Sequence, residues 1–445
     1  MVLKIKRQKL KPSSHGAALI FSVIIWYIFS AVLIGFFGFP KVIVYIGDVL
    51  NIWLFVNAVY KLKSKDYKVS RNMVLLFMIA FAGIALGSSI INMESPLLIL
   101  WGIRQNFRYF IFYFSCLMFM HEEDIDILLK IVATLFWSSV PLCTYEALFV
   151  SYPQEAIVGD YVGGVYYGIQ GVNAPLNVIL LIYSIYVLLQ FFDNKCNFKI
   201  MVLTLGAALY MAALAELKVF LVEIAIVVIY AMFRKGISIK SIIILILGIL
   251  AMSIALNLFV QVNARGRSYY TTEYLSIEGM LQNLFRNSGY DGVGDLNRFN
   301  AIPVLINKFF KNDLSGTLFG LGLGNADYSL SFTALQSSFY QEYSWLHYQW
   351  FSVSFVFIET GIIGLFFYIM IFISGFTQGR TMISKNSVYH GLYIMMVIMM
   401  VIMIVYNPAL RNEQCGYILY FILAIPFAMD NSRKRSKRIE KSIGV

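Results

Sequence analysis

Arg104 and Arg108, in WGIRQNFRYF, stand four residues apart and so share one face of any helix they lie on. Two guanidiniums set that way can fork onto phosphate oxygens and keep their charge in a low dielectric; the competing reading is a pair of side chains snorkelling to lipid headgroups. Lys218, just after Glu216 in LAELKVFLVE, brings three donors and a point charge to the same kind of ligand, or else pairs with Glu216 in a tight turn. Glu223 follows five residues on, and Arg411, in NPALRNEQ, would complete a basic ring. The stretch GTLFGLGLGNADYS (316–329) places glycines at 316, 320, 322 and 324. It invites comparison with a phosphate cradle, but a nucleotide loop opens a helix after a strand and, in its P-loop form, carries Gly-Lys-Ser/Thr. Neither feature is present. The four histidines and four cysteines show no metal-ligand spacing, so neither a metal nor a cofactor is expected.

The elements that must hold these residues are membrane helices. Of 445 residues, 59% are hydrophobic and only 13% charged, against roughly 25% charged in a soluble domain. A hydrocarbon core about 30 Å thick needs about 20 apolar residues at helical rise. About twelve such runs are expected, near 16–37, 41–60, 72–92, 105–120, 127–150, 174–192, 199–215, 218–233, 240–262, 350–374, 388–406 and 415–430. Lipid tolerates no unpaired backbone, so the fold class is an all-α polytopic membrane protein. The first run lacks a small-residue cleavage site and reads as an anchor. The net charge of +11 reflects orientation, not nucleic acid. With the N-terminus cytoplasmic, 24 of the 35 Lys and Arg fall on the inner side, including the tail SRKRSKRIEK, and an even span count returns the C-terminus there.

Four regions follow: a membrane bundle over 1–262, an extracytoplasmic loop over 263–349, C-terminal spans over 350–430 and a basic cytoplasmic tail over 431–445. The large loop should be partly helical, since RFNAIPVLINKFF (298–310) is amphipathic, with Asn297 as its N-cap and Asn312, Asp313 and Ser315 ending it. A second outer loop, 152–173, has four tyrosines and no Lys or Arg; it reads as an interface belt or as a surface for sugars or headgroups. Arg265 and Arg267 read as a solvated pair after a span. On this sidedness the glycine stretch faces the outside, where nucleotide sugars are absent. Group transfer there needs a donor that carries its own leaving group, and a lipid-linked sugar pyrophosphate is such a donor.

The order of a multi-span chain, a large late outer loop, GTLFGLGLGN within it and FIETGIIGLFFY (357–368) opening the next span resembles the O-antigen polymerase and ligase superfamily of bacterial polysaccharide assembly. Gly320, Gly322 and Gly324 match that family's small-residue segment. Glu359, Gly361 and Gly364 match its Glu-x-Gly-x-x-Gly, and Arg298 matches its loop arginine. Where the family carries His-Asn this chain has Trp350 and Phe351, with His347 three residues upstream. The displacement favours a polymerase over a ligase. The resemblance implies a glycosyltransferase of the bacterial cytoplasmic membrane acting on polyprenyl-pyrophosphate-linked oligosaccharide, with a flippase and a chain-length regulator as possible partners. Within it, Lys218, Arg104, Arg108 and Arg411 would bind pyrophosphate, Arg298 would act beside them, and His347 or Glu359 would take the acceptor proton. Glu359 reads equally as an acid at the N-terminal dipole of the tenth span. A flippase or transporter of similar span count is the alternative from another class, and a scaffold without chemistry a third.

Overall fold

The computed structural model describes residues 11–62, 72–93, 95–152, 158–168, 170–235, 254, 290, 296–329, 331–384 and 387–443. The expected span 240–262, together with Arg265 and Arg267, lies outside the described residues. The regular structure of the described chain is helical apart from one isolated bridge between Tyr290 and Leu296. Its helices are α1 (His15–Phe37), α2 (Tyr45–Leu62), α3 (Met73–Ile91), α4 (Pro96–Phe119), α5 (Glu122–Phe149), α6 (Val158–Tyr161), α7 (Asn173–Phe192), α8 (Phe198–Leu214) and α9 (Lys218–Lys235). Then come α10 (Ala301–Phe309), α11 (Leu314–Phe319), α12 (Ser338–Tyr343), α13 (Ser352–Met382), α14 (Val388–Tyr406), α15 (Gly416–Leu423) and α16 (Ile425–Ile443).

Among the described residues, seven helical segments are long and apolar enough to cross a membrane: α1, Lys41–Leu62, α3, α5, α7, α13 and α14. α4 carries Arg104, Gln105, Asn106 and Arg108 near its middle, α8 is shorter, and α9 bears Lys218 and Glu223. The last expected span is two helices that part at Ala424. Pro426 explains the break, because it has no N–H to continue the ladder and is tolerated only in a first turn.

Local chemistry sets several ends. Ser14 caps α1 through its hydroxyl (Ala17 N, 3.0 Å), and Gly38, at φ 65°, closes the same helix. Asn72 caps α3 by accepting from Leu75 N at 3.1 Å. In the loop, Asn297 lies outside the helix, accepting from Phe299 N at 3.0 Å, and Asn300 is the N-cap of α10. Asp313 does not merely follow α10; it caps α11 by accepting from Gly316 N at 2.9 Å.

α13 is the central element, packed against α3 on one side and α14 on the other. Apolar burial drives little association inside lipid, so close approach depends on small residues. Gly375 and Gly379 provide it: a methyl at Gly379 would overlap the Tyr393 ring of α14, and Tyr393 Oη donates to Gly375 O at 2.7 Å. α2 is the opposite case, since Val49, Ile52, Trp53 and Val56 are more than half exposed on it, as suits hydrocarbon contact.

Polar groups gather at two ends. At one, Ser13 holds Asp124 (2.9 and 2.6 Å), Asn431 donates to Leu117 O (3.0 Å), and Arg234 reaches Ser387 O (3.3 Å). This end carries the start of α1 and the basic α16. The opposite end collects the 95–104, 158–168, 170–172, 216–218, 296–329, 331–350 and 407–415 segments, and holds Arg104, Lys218, Arg298, His347 and Arg411.

Candidate functional site

The glycine stretch is a docking segment that completes a broken helix. Gly361 interrupts α13 at φ 63°, ψ −167°, a backbone region open essentially to glycine alone. A break exposes carbonyls that need partners. Those of Ile358 and Glu359 accept from Leu321 N (2.8 Å) and Gly322 N (3.0 Å). α3 reaches the same crossing: Asn92 Nδ2 donates to Gly320 O (3.0 Å), and Leu323 N donates to Ser89 Oγ (2.8 Å). α4 meets it as well, because a methyl on Gly324, at φ 82°, would overlap the Leu98 carbonyl oxygen. Glu359, 1% exposed, ties the crossing together. Its Oε1 accepts from Gly324 N (2.8 Å) and its Oε2 from Asn106 Nδ2 (3.1 Å).

Arg104 and Arg108 do share a face of α4, and one carboxylate bridges them. Glu413 Oε1 accepts from Arg104 Nη2 at 3.1 Å and from Arg108 Nη1. Arg104 is further held by Asp48 Oδ2 (2.7 Å to Nη2, 2.8 Å to Nε) and lies between the rings of Tyr45 and Trp101 (4.6 and 4.7 Å). A tyrosine layer supports the cluster from below: Tyr27 Oη donates to Asp48 Oδ1 (2.8 Å), Tyr417 stacks on Tyr27, and Tyr109 Oη donates to Arg411 O (2.8 Å). The Arg411 guanidinium lies over the Phe355 ring at 3.1 Å, with its buried Nε making no hydrogen bond. Burial alone would raise the Glu413 carboxyl, but Arg108 and Arg104 outweigh it and hold the group below its ordinary range. Asp327, the acid that ends the glycine stretch, shows the reverse balance. Burial pushes it up against the opposing pull of Arg411, and its Oδ2 has no hydrogen-bond partner.

Lys218 and Arg298 form a second group. Lys218 has Glu216, Arg298 and Asp160 as charged neighbours. Arg298 donates through Nε to Tyr406 O (3.0 Å) and covers the Tyr406 ring (4.8 Å), so it sits on the carbonyl end of α14 where the helix dipole is negative. Asp160 is oriented by Asn173 Nδ2 (3.1 Å). Glu216 takes φ 55° in the turn between α8 and α9. The segment 406–411 joins the two groups, with Arg298 at its start and Arg411 at its end.

His347 lies in the large loop, between α12 and α13. It has φ 51° between two 3₁₀ turns, and its ring stacks on Trp350 at 3.9 Å. The imidazole therefore lies against the side chain at the position where the resembled family has histidine. Its segment is anchored to the glycine stretch by Tyr348 Oη, which donates to Ala326 O at 2.7 Å.

Sequence reading missed Glu413, Asp48, Asp327, Asp160 and Glu146. The last is fully buried in α5 and accepts from Gly163 N (3.1 Å) and Gly164 N (2.7 Å), drawing the 158–172 loop down among α1, α5 and α7. Acid within an apolar run was a usable signal for Glu146. Nothing local marks Glu413 as the partner of residues some 300 positions earlier. Chemically, the site offers guanidinium and ammonium donors able to hold an oxyanion, with carboxylates beside Arg104, Arg108, Lys218 and Arg411. Among the described residues, no three His, Cys, Asp or Glu side chains converge as a metal would require. No family model matches this chain, and a comparison with curated proteins finds no similar sequence.

Proposed function

We propose that this chain is a polymerase-type glycosyltransferase that joins oligosaccharide repeat units carried on polyprenyl pyrophosphate. The observation that carries the reading is the convergence of cations from four distant segments at the end opposite the termini. Arg104 and Arg108 come from α4, Lys218 from the start of α9, Arg298 from the large loop and Arg411 from the last loop. Twelve spans, with both termini in the cytoplasm of a bacterium, put that end on the outer face of the cytoplasmic membrane.

A hydroxyl of the incoming unit attacks the anomeric carbon of the growing chain. The new C–O bond forms as the bond to the pyrophosphate oxygen breaks, and the lipid pyrophosphate leaves with the electron pair. The acceptor proton passes to a base. Glu359 is committed through both oxygens to Gly324 and Asn106, so it serves as the clamp, and His347 takes the proton. Donors aimed at the departing pyrophosphate are the electrostatic term that usually dominates such a transfer. Arg108 and Arg411 supply it on one side of the 406–411 segment, Lys218 and Arg298 on the other.

The test is purified protein in liposomes with a synthetic polyprenyl-pyrophosphate oligosaccharide and no nucleotide. A ladder of longer lipid-linked glycans, abolished by Lys218→Ala and by Arg298→Ala, is expected. Transfer of one finished glycan to a separate acceptor, without a ladder, makes the chain a ligase. Unchanged glycan that has crossed the bilayer makes it a flippase.

A further inference from the structure

We propose that Glu413 is a built-in counter-ion occupying the seat of an oxyanion on Arg104 and Arg108, and that a phosphate or pyrophosphate group enters by displacing it. The inference deepens the functional reading above and depends on it only for the identity of the natural ligand. One oxygen, Oε1, serves both guanidiniums, as one oxygen of a bound phosphate would. The Glu413 side chain is 27% exposed, while Arg108 beneath it is 5% exposed. The acid thus stands between the buried cation and solvent.

Its backbone is fixed on either side. Gln414 N donates to Asn412 Oδ1 (2.8 Å), and Cys415 Sγ donates to Ala409 O (3.2 Å). Exchange is therefore a rotation of the side chain and leaves the loop in place. The two cations lose different things when it happens. Arg104 keeps its bond to Asp48, whereas Glu413 is the carboxylate that pairs with Arg108. Asp48 and Glu413 offset Arg104 and Arg108 in the closed arrangement, with Arg411 and Asp327 beside them, and rotation of Glu413 uncovers one positive charge for an incoming anion. Donors without hydrogen-bond partners are already in place at Arg108 Nε and Arg411 Nε. A bidentate oxyanion suits such a fork better than a single carboxylate oxygen.

The experiment uses the full chain in nanodiscs of neutral lipid, with inorganic pyrophosphate as the probe and calorimetric titration as the readout. Glu413→Gln keeps the shape and removes the competing charge, so pyrophosphate should bind at least tenfold more tightly than to the wild type. Arg108→Gln should abolish binding in both backgrounds. Should Glu413→Gln fold poorly, Glu413→Asp, whose shorter side chain draws the carboxylate back from the guanidiniums, should still tighten binding. Ligand-dependent rises in melting temperature provide a second scale for the same ranking. Equal or weaker binding in a folded Glu413 variant overturns the exchange and makes the acid a brace. Tightened binding with no glycan ladder would remove the polymerase reading and leave the exchange standing; unchanged binding with an intact ladder would do the reverse.

Discussion

Glu359 is the residue on which the docking of the glycine stretch turns. In Glu359→Ala, Gly324 N and Asn106 Nδ2 both lose their carboxyl acceptor in a buried place. Leaving a buried donor unsatisfied costs about 1–3 kcal/mol, so the pair is worth about 2–6 kcal/mol. Glu359→Gln keeps one acceptor and should cost about half as much, ~1–3 kcal/mol. Asn106 also donates to Gly102 O at 3.0 Å, so it cannot turn its amide to suit the glutamine without losing that bond. In an Asn106→Ala background the glutamine change should therefore cost less, with a coupling of about 0.5–3 kcal/mol. Unfolding in nanodiscs, followed by tryptophan fluorescence during an SDS titration, measures the four members of the cycle. Chymotrypsin supplies the local readout, because Phe319, Leu321 and Tyr328 are cleavable only if the stretch leaves α13. Additive single variants that stay protected from the protease would refute the clamp.

Gly361→Ala should be among the most damaging small changes: its backbone region costs roughly 1–3 kcal/mol for other residues, and the added methyl would overlap the Leu318 carbonyl. Gly83→Ala, with nothing within 4 Å of the new methyl, is the control and should be neutral or stabilising by up to about 1 kcal/mol; similar melting losses in both would remove the crossing argument. For Glu413 the sign follows from its depressed carboxyl. The folded chain binds this proton less readily than the unfolded one, so the contribution is fully present above the ordinary value of 4.5 and disappears as pH falls through the lower folded value. The stability gap between wild type and Glu413→Gln should thus be widest near neutrality and close in acid, and a gap that stays constant with pH contradicts the ion pairs.

Helix positions were largely legible in the sequence, because a run of apolar residues declares a span wherever it lies. α1, α3, α7 and α14 begin and end within a residue or so of the expected limits. Breaks were harder. Pro426 was readable as one, but it lay inside an apolar run whose length dominated. Gly361 belonged to a matched motif, and spacing alone could not tell a helix-opening element from a helix-breaking one. The candidate residues were readable by type, since Arg104, Arg108, Lys218 and Arg411 are charges beside apolar runs. Their partners were not: Asp48 and Glu413 meet Arg104 only after α2, α4 and the last loop converge. That convergence is a property of packing and leaves no periodic mark. The glycine stretch shows the same limit, for its composition stated that backbone comes close to something, and only the fold shows that the something is α13.

The central claim is that the cations at the end opposite the termini receive a lipid-borne pyrophosphate. The most direct measurement is photo-crosslinking of a polyprenyl-pyrophosphate analogue, with the reactive group on its head, to the protein in liposomes, followed by mass spectrometry of the adducts. Adducts on the 407–415 segment and the first turns of α4, lost in Arg108→Gln and competed by inorganic pyrophosphate, are predicted. Adducts confined to the opposite end, around Ser13, Asp124 and Asn431, or to the exposed apolar face of α2, would contradict it.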